Sequence, residues 1–550
     1  MESEGEGNRL MAYEPVWAKD LSKLNKNEIW KLEKDGLDVI RDLLEVYAVK
    51  GRDAIPEDDM NRLKWCGLYE QRPKEGYFMM RVRVPSGIMT SEQARALAGV
   101  AKDYGRNLMD ITTRQSIQYH WLRIEDVPDI FRRLESVGLY TYEACGDCPR
   151  TIVGNPLAGI DPDELMDTSE LVREVNAYFM LNRDFSNLPR KYKMSISANI
   201  YNNAHAEIQC LAFTPATKMI DGQEVVGFHV WVGGGLSAKP HLAKQLDMFV
   251  RPEEVLKVAI GVTTIFRDYG YREKRHYARL KYLVADWGVE KFQQKLIELI
   301  GPMPPRGDDK LVGWRAAYFD GVHPQKQPGL SYVGLNVPIG RLSGDEFFEL
   351  ARLADEYGEG KLRTTVSQNI IISGVPNERV PELLKEPVLR RLSPFPKRFM
   401  SRTVSCTGNE FCNLAIVETK ERARQVAEYL DSRVELDVPV RIHFSGCPNS
   451  CGQKHIADIG LQGSLVKTPQ GMVESFDIAI GGTLGPGAQF NTVLKGRVKG
   501  DDVGKVLEQL ILFYKENRKE GESFHDFVLR VGVDAFQKKL DEVLATLPAA

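Results

Sequence analysis

Alternation of apolar and polar positions marks the first strand the sequence predicts. In Phe78-Met-Met-Arg-Val-Arg-Val84, Met80, Val82 and Val84 alternate with Arg81 and Arg83, so the two arginines share one face. A helical period follows. Leu97, Ala101 and Tyr104 form an apolar stripe, Thr90 and Gln93 suit a capping box before it, and Gly105 suits its C-terminal end. The same strand–helix–strand pattern returns at an offset of 253. Val84-Pro-Ser-Gly87 answers to Val337-Pro-Ile-Gly340, Thr90 and Gln93 to Ser343 and Glu346, and Leu97, Ala101 and Tyr104 to Leu350, Ala354 and Tyr357. Gly105, Thr112, Gln115 and Ile117 answer to Gly358, Thr365, Gln368 and Ile370.

A second repeat runs at an offset of 248. It pairs Lys193-Met-Ser-Ile-Ser197 with Arg441-Ile-His-Phe-Ser445, and Gly227–Gly235 with Ser475–Thr483. The chain therefore predicts an α+β fold, internally duplicated, with two small and two larger α+β units related by a pseudo-twofold axis. The expected divisions are 1–70, a helical extension; 71–145, the first small unit; 146–310, the first larger unit; 311–395, the second small unit; and 396–550, the second larger unit. Within the extension, Trp30, Leu32, Leu37, Ile40, Leu43 and Leu44 predict an amphipathic helix over 27–47. The stretch 503–547 also reads as mostly helical.

Composition narrows the class. The 550 residues are 43% hydrophobic and carry a net charge of −3, which supports several cores and gives no nucleic-acid signature. No run of 18 apolar residues predicts a membrane span. The start, Met-Glu-Ser-Glu-Gly-Glu-Gly, lacks the basic and apolar segments of a secretory signal, so the cytoplasm is expected. Clustered rather than scattered cysteines agree with a reducing compartment.

Four of the eight cysteines form two close pairs, Cys406/Cys412 and Cys447/Cys451, among small and turn-forming residues. Thiolates so spaced can converge on one metal centre, and small neighbours let backbone N–H groups approach bound sulfur. A structural zinc site in a non-redox protein is one alternative, although gaps of five and three residues are loose for a zinc ribbon. A cubane iron–sulfur cluster sets no fixed spacing. Under the offset of 248, Cys447 and Cys451 map onto Asn199 and Asn203, so the metal site belongs to the second half alone.

The segment Ser445-Gly-Cys-Pro-Asn-Ser-Cys-Gly452, with Cys406 and Cys412, resembles the ferredoxin-dependent sulfite and nitrite reductases. The resemblance implies that Cys406, Cys412, Cys447 and Cys451 hold a 4Fe–4S cluster and that Cys451 also bridges to the iron of sirohaem. It implies ferredoxin-like small units and an N-terminal extension wrapped around the second half. Arg114, Gln118 and His120, read as one strand face, together with Lys326 and Arg363, match family segments that contact sirohaem, whose many carboxylates call for such donors. Arg81, Arg150, Lys191 and Lys193 match the family's substrate-binding positions. Lys191 and Lys193 also stand out unaided. They lie on one strand face roughly 7 Å apart, a costly arrangement against a core unless an anion pairs them. The Cys145-Gly-Asp-Cys148 segment reads as a loop presenting Arg150, and Tyr69 with Cys145 resembles a side-chain crosslink found in some members.

These parts predict six-electron reduction of a small oxyanion. Side chains cannot supply the electrons, so the cofactors must. Gly233-Gly-Gly235 lacks dinucleotide-fingerprint spacing, so a separate donor, ferredoxin, is expected to serve a monomeric enzyme. The segment Val153–Asp161 resembles plant-type nitrite reductases, but family nitrite reductases tend to have asparagine where this chain has Lys193, and sulfite reductases have lysine. The expected reaction is therefore assimilatory reduction of sulfite to sulfide, with nitrite to ammonia as the alternative.

Overall fold

The computed structural model describes residues 20–316, 318–469 and 471–547. Four sheets follow the two repeats. The first small sheet runs Leu68–Glu70, Tyr77–Val82, Ile117–Arg123, Leu108–Ile111 and then Arg341–Ser343, a strand from the other half. The second runs Gly321–Pro324, Leu330–Leu335, Ile370–Pro376, Lys361–Thr364 and then Ile88–Thr90, a strand from the first half. The exchanged strands pair antiparallel, Leu342 with Met109 and Leu362 with Met89. Each exchanged strand leads directly into a helix, Ser91–Asp103 or Gly344–Tyr357, whose start carries the expected capping box. The two helices bury their stripes in one common core with both small sheets, through Leu97, Ala101, Leu350 and Ala354.

Each larger unit opens with two short parallel pairings and continues as a long antiparallel hairpin. In the first, Val153–Gly154, Met194–Ile196 and Leu211–Ile220 pair parallel before Gln223–Val232 returns. In the second, Thr403–Ser405, Ile442–Ser445, Ile459–Thr468 and Gly471–Ile480 repeat the scheme. Each sheet has its own core, closed by helices such as Val255–Tyr269 and Val503–Asn517. The helical C-terminal stretch resolves into Val503–Asn517, Phe524–Val531 and Val533–Thr546.

A repeated glutamine ties small units to large ones. Gln115 and Gln368 both adopt left-handed backbone conformations, with φ of 61° and 65°. Gln115 donates to Ser86 O, Gly154 O and Thr364 O and accepts from Gly154 N–H. Gln368 donates to Ile111 O and Ser405 O and accepts from Ser405 N–H. Both are buried, so each saturates backbone groups that would otherwise be costly to bury.

One expectation changes at the N-terminus. The stretch 27–47 is not one helix; Lys26–Glu33 ends at Lys34-Asp-Gly36, and helical backbone resumes after it. Gly36 lies flat against Trp65, where a Cβ would be 2.3 Å from the ring, so close packing fixes the break. The described part of the extension, 20–70, makes contacts with the first half and with the shared core of the small units. Glu28 pairs with Arg272 at 2.7 Å, Lys31 donates to Leu188 O at 2.8 Å, and Val39, Leu43 and Leu63 enter the core of the small units. The acidic start, Met1 to Gly7, lies outside the described residues.

Candidate active site

The site forms where the first larger unit meets the cysteine segments of the second. The loop 145–150 is clamped on both sides. Leu188 N–H donates to Asp147 O, Tyr192 N–H to Cys148 O and Arg150 N–H to Tyr192 O. The Asp147 carboxylate is buried among Lys31, Arg190 and Arg275, which hold its pKa well below the ordinary value despite burial. Arg83, on the strand face it shares with Arg81, is not solvated. It is 2% exposed and donates to Tyr142 O, Pro149 O and Asn176 Oδ1, bracing the same loop. Arg150 in turn donates from Nε and Nη2 to Gly146 O. Cys145 and Cys148 are buried free thiols.

The structure brings the four substrate candidates into one cationic cluster. Burial, with the nearby Cys145 thiol, pushes the Tyr69 phenol up, while Arg150 and Arg81 act to lower it. Burial, followed by Arg279, Arg190 and Arg150, pulls the Lys191 ammonium down to about 7, against some support from Cys451. Burial, then Arg114, Lys191 and Arg279, holds Lys193 well below its ordinary value. Among the described residues neither lysine pairs with a carboxylate. The second half shows what the same register does when satisfied. Arg441, the counterpart of Lys193, is held by Asp458 at 2.7 and 2.9 Å. The counterpart of Asp458 is Cys210, whose thiol accepts from Arg279 at 3.4 Å. Exchanging the acid for a thiol leaves Lys193 without a fixed counter-ion.

The cofactor-facing candidates divide. Gln118 links the two sides of the site, accepting from Arg81 at 2.8 Å and donating to Thr407 Oγ1, beside Cys406, at 3.0 Å. Arg114 does not share that strand's face, because the left-handed turn at Gln115 comes between them. It donates to Gln209 Oε1, Thr151 O and Met194 O and keeps a buried Nε without a partner. His120 is committed to Asp110 at 2.7 Å and stacks on Phe411 at 3.9 Å. Arg363 is 2% exposed and consumed by Pro156 O, Ala158 O, Ser373 and Glu359. Lys326 reaches Glu164 at 2.8 Å.

The four cysteines lie in one region of the molecule. Cys451 lies close enough to Cys406, Cys412 and Cys447 to add to the upward push that burial gives each thiol. Gly446 N–H donates to Cys406 Sγ at 3.2 Å, the approach expected of small neighbours. A Cβ on Gly452 would fall 2.0 Å from Phe444 O, which explains the glycine after Cys451. Thr113 Oγ1 donates to Cys451 O, so the first half also holds the last cysteine. In the first half, the matching Asn199 and Asn203 donate to Asp161 and Asn155 in a closed amide network. Among the described residues no group of three or more His, Cys, Asp or Glu side chains is drawn together as a metal site in this structure. A four-iron cluster, itself several atoms wide, holds its ligands further apart.

Beside these thiols, Arg114, Lys191, Lys193 and Arg279, none of which joins a carboxylate among the described residues, offer donors that fit a polycarboxylate macrocycle and a small anion. Buried Nε atoms of Arg81, Arg114 and Arg279 lack partners, as donors awaiting carboxylate oxygens would. Sequence reasoning missed Arg190, Arg279 and Cys210. The Cys210 signal was present, since the offset of 248 sets it against Asp458; nothing local marked the arginines.

Fold and candidate site carry the parts of an oxidoreductase: a group of thiolates suited to a cluster, beside a group of cations suited to a small anion. The comparisons give the family. The model described as the nitrite and sulphite reductase 4Fe-4S domain matches residues 145–301 and 398–546. The nitrite/sulfite reductase ferredoxin-like half domain matches 69–137 and 323–389. A ferredoxin–nitrite reductase of Synechococcus elongatus is 44% identical over 89% of this chain and 96% of its own. A sulfite reductase [ferredoxin] 1 of Mycolicibacterium paratuberculosis is 38% identical over 94% and 97%. The structure of the Mycobacterium tuberculosis NirA protein superimposes with a TM-score of 0.88 at 36% identity, over 94% of this chain and 97% of that one. The chain belongs to the ferredoxin-dependent nitrite and sulfite reductase family. Its cofactors are a 4Fe–4S cluster and sirohaem.

Proposed function

We propose that the protein is a ferredoxin-dependent sulfite reductase, a cytoplasmic monomer that reduces sulfite to sulfide for assimilation. Lys193 carries this reading. It is a half-buried lysine that, among the described residues, has no carboxylate partner, at a register where the duplicate Arg441 is neutralised by Asp458. A dianion gains more from that charge than a monoanion does. When bound, sirohaem and the cluster would supply the six electrons. Sirohaem would lie against Arg114, Gln118 and Arg279, and Cys406, Cys412, Cys447 and Cys451 would hold the cluster.

The chain's own residues bind the anion and move protons. Arg81 and Arg150 orient the oxygens by hydrogen bonds. Lys193, whose protonation a bound anion favours against its cationic neighbours, adds the charge that favours sulfite. Lys191, pushed to about 7, is poised to give up a proton near neutrality, as three departing oxygens require when they leave as water. The proximity of Tyr69 and Cys145 supports the crosslink that the family resemblance implies. Nitrite is the second reading, supported by relatives named ferredoxin–nitrite reductase at 44% and 42% identity. Turnover of both anions by the holoenzyme, driven by reduced ferredoxin, tests the choice. A kcat/KM for sulfite above that for nitrite is expected; the reverse order selects the second reading.

A further inference from the structure

The first small unit carries an aromatic and basic surface beside the cluster that the reaction at the anion pocket does not use. Its centre is Trp121. The duplicate position is Gly374, and both adopt left-handed backbone, with φ of 65° and 73°. The facing strands also bulge at matching places, between Phe78 and Met80 and between Ser331 and Val333. Glycine adopts that conformation freely, whereas a bulky aromatic pays a conformational cost and persists only where its surroundings hold it. Here the buried Gln71 accepts from Trp121 N–H at 2.9 Å. The strained ring is placed edge-on against Phe411, with centroids 5.3 Å apart and planes at 90°. Phe411 is the residue before Cys412.

Cations surround this ring. The Arg106 guanidinium lies 3.8 Å over Trp121 and 5.1 Å over Tyr77, and Arg123 lies 5.1 Å over Tyr77. Both donate only to the Tyr77 hydroxyl, and among the described residues neither joins an ion pair, nor does Lys74 nearby. The exposed carboxylates of the same segments are Glu75 and Glu125, while Glu70 is engaged by Arg52. Arg72 joins the patch to the cysteine loop. Its N–H donates to Phe411 O, and its guanidinium to Asn413 O and Ala415 O. Past that clamp, Leu414 is 69% exposed and Ile416 38% exposed, an apolar contact beside Cys412.

We infer that this face, from Lys74, Arg106 and Arg123 across Trp121 to Leu414 and Ile416, docks a small acidic one-electron carrier protein of the ferredoxin type. The inference rests on the ferredoxin-driven reading above and gives it a location. Three unpaired cations complement an acidic carrier and steer its approach. The exposed apolar residues beside Cys412 supply the desolvated centre that a short-lived complex needs. The Trp121–Phe411 pair fills the space between the docked partner and the cluster's ligand loop, which accounts for a tryptophan where the duplicate has glycine. The electron donor therefore straddles the first small unit, which brings the cations, and the Cys412 loop of the second half, which brings the apolar contact.

The test uses holoenzyme and a recombinant acidic 2Fe–2S ferredoxin. Isothermal titration at low salt gives the dissociation constant, and turnover is measured with ferredoxin and, separately, with dithionite-reduced methyl viologen. The double variant Arg106→Glu/Arg123→Glu is expected to raise the dissociation constant at least tenfold and leave viologen-driven turnover unchanged. Trp121→Gly, which adopts the duplicate's residue and relieves the backbone, is expected to slow ferredoxin-driven turnover several-fold at unchanged viologen rate. Salt-sensitive binding that the double variant leaves intact would overturn the docking surface. Viologen-driven inactivity of the parent holoenzyme on both anions would overturn the functional reading instead, and the titration would still decide the surface.

Discussion

Replacing Lys193 by asparagine removes one positive charge from the anion pocket and keeps a hydrogen-bond donor. The side chain is surrounded by Arg114, Lys191 and Arg279, with Cys451 as the nearby counter-charge. At a separation of roughly 5 Å and an effective dielectric constant of about 20, one unit charge interacts with another by about 3 kcal/mol. A monoanion loses that amount and a dianion about twice as much, so the gross difference is also about 3 kcal/mol. Reorientation of the neighbouring guanidinium groups recovers roughly half. A residue of about 1.5 kcal/mol corresponds to a little over tenfold in relative kcat/KM. Lys193→Asn is therefore expected to lower sulfite turnover at least tenfold more than nitrite turnover, measured on loaded enzyme with reduced methyl viologen. Protonation of sulfite at lower pH should narrow the gap. Equal fractional losses for the two anions would refute charge as the basis of selectivity.

Burial and neighbouring cations pull Lys191 from an ordinary 10.5 to about 7 in the folded protein. Between those values the unfolded chain binds the extra proton, so sirohaem-free protein should gain stability as pH rises from about 7 toward 10, by at most about 1.4 kcal/mol per unit from this group. Thermal melts of protein made without sirohaem check this; stability that falls throughout the window would contradict it. Arg363→Met should lower stability by about 3 kcal/mol, because it strips donors from Pro156 O, Ala158 O and Glu359. Sirohaem content per folded molecule should stay unchanged, and a selective loss of sirohaem at unchanged melting temperature would show a cofactor role. In mass spectra of parent protein, peptides containing Tyr69 and Cys145 should appear joined with the loss of two hydrogens and should separate in Tyr69→Phe; unlinked peptides in both would remove the crosslink. Cys447→Ser should abolish labile sulfide and most of the bound iron, read by colorimetric assay, and a full complement of both would exclude Cys447 as a ligand.

The duplication was the most legible feature because it rests on local rules repeated at a fixed spacing. Capping boxes at Thr90 and Ser343 and glycines at helix ends are decided within a few residues, and the structure reproduces the capping boxes. The exchange of Ile88–Thr90 for Arg341–Ser343 was not legible. Either strand satisfies the same pattern within its own half, and only the three-dimensional register chooses. Strand parity misplaced Arg114 because a left-handed Gln115 reverses the chain before the strand begins. The break at Gly36 depends on Trp65, distant in sequence, so the amphipathic period ran through it. Lys191 and Lys193 were legible because two adjacent same-face charges conflict with burial, whereas Arg83 and Arg363 look equally polar and turn out to brace backbone carbonyls.

The exchanged strands have a consequence for ancestry. A half-length chain folding alone would leave the edge at Leu108–Ile111 unpaired, and a second identical chain would carry the strand to cover it. Two such chains would form a symmetric dimer with two equivalent clefts, each bound to obey every change made in the other. Joining them end to end lifted that constraint. Cysteines could then be kept at 447 and 451 while asparagines settled at 199 and 203, and the acid at 458 could remain while its partner became Cys210. One working centre in a chain of this length is what a broken symmetry leaves behind.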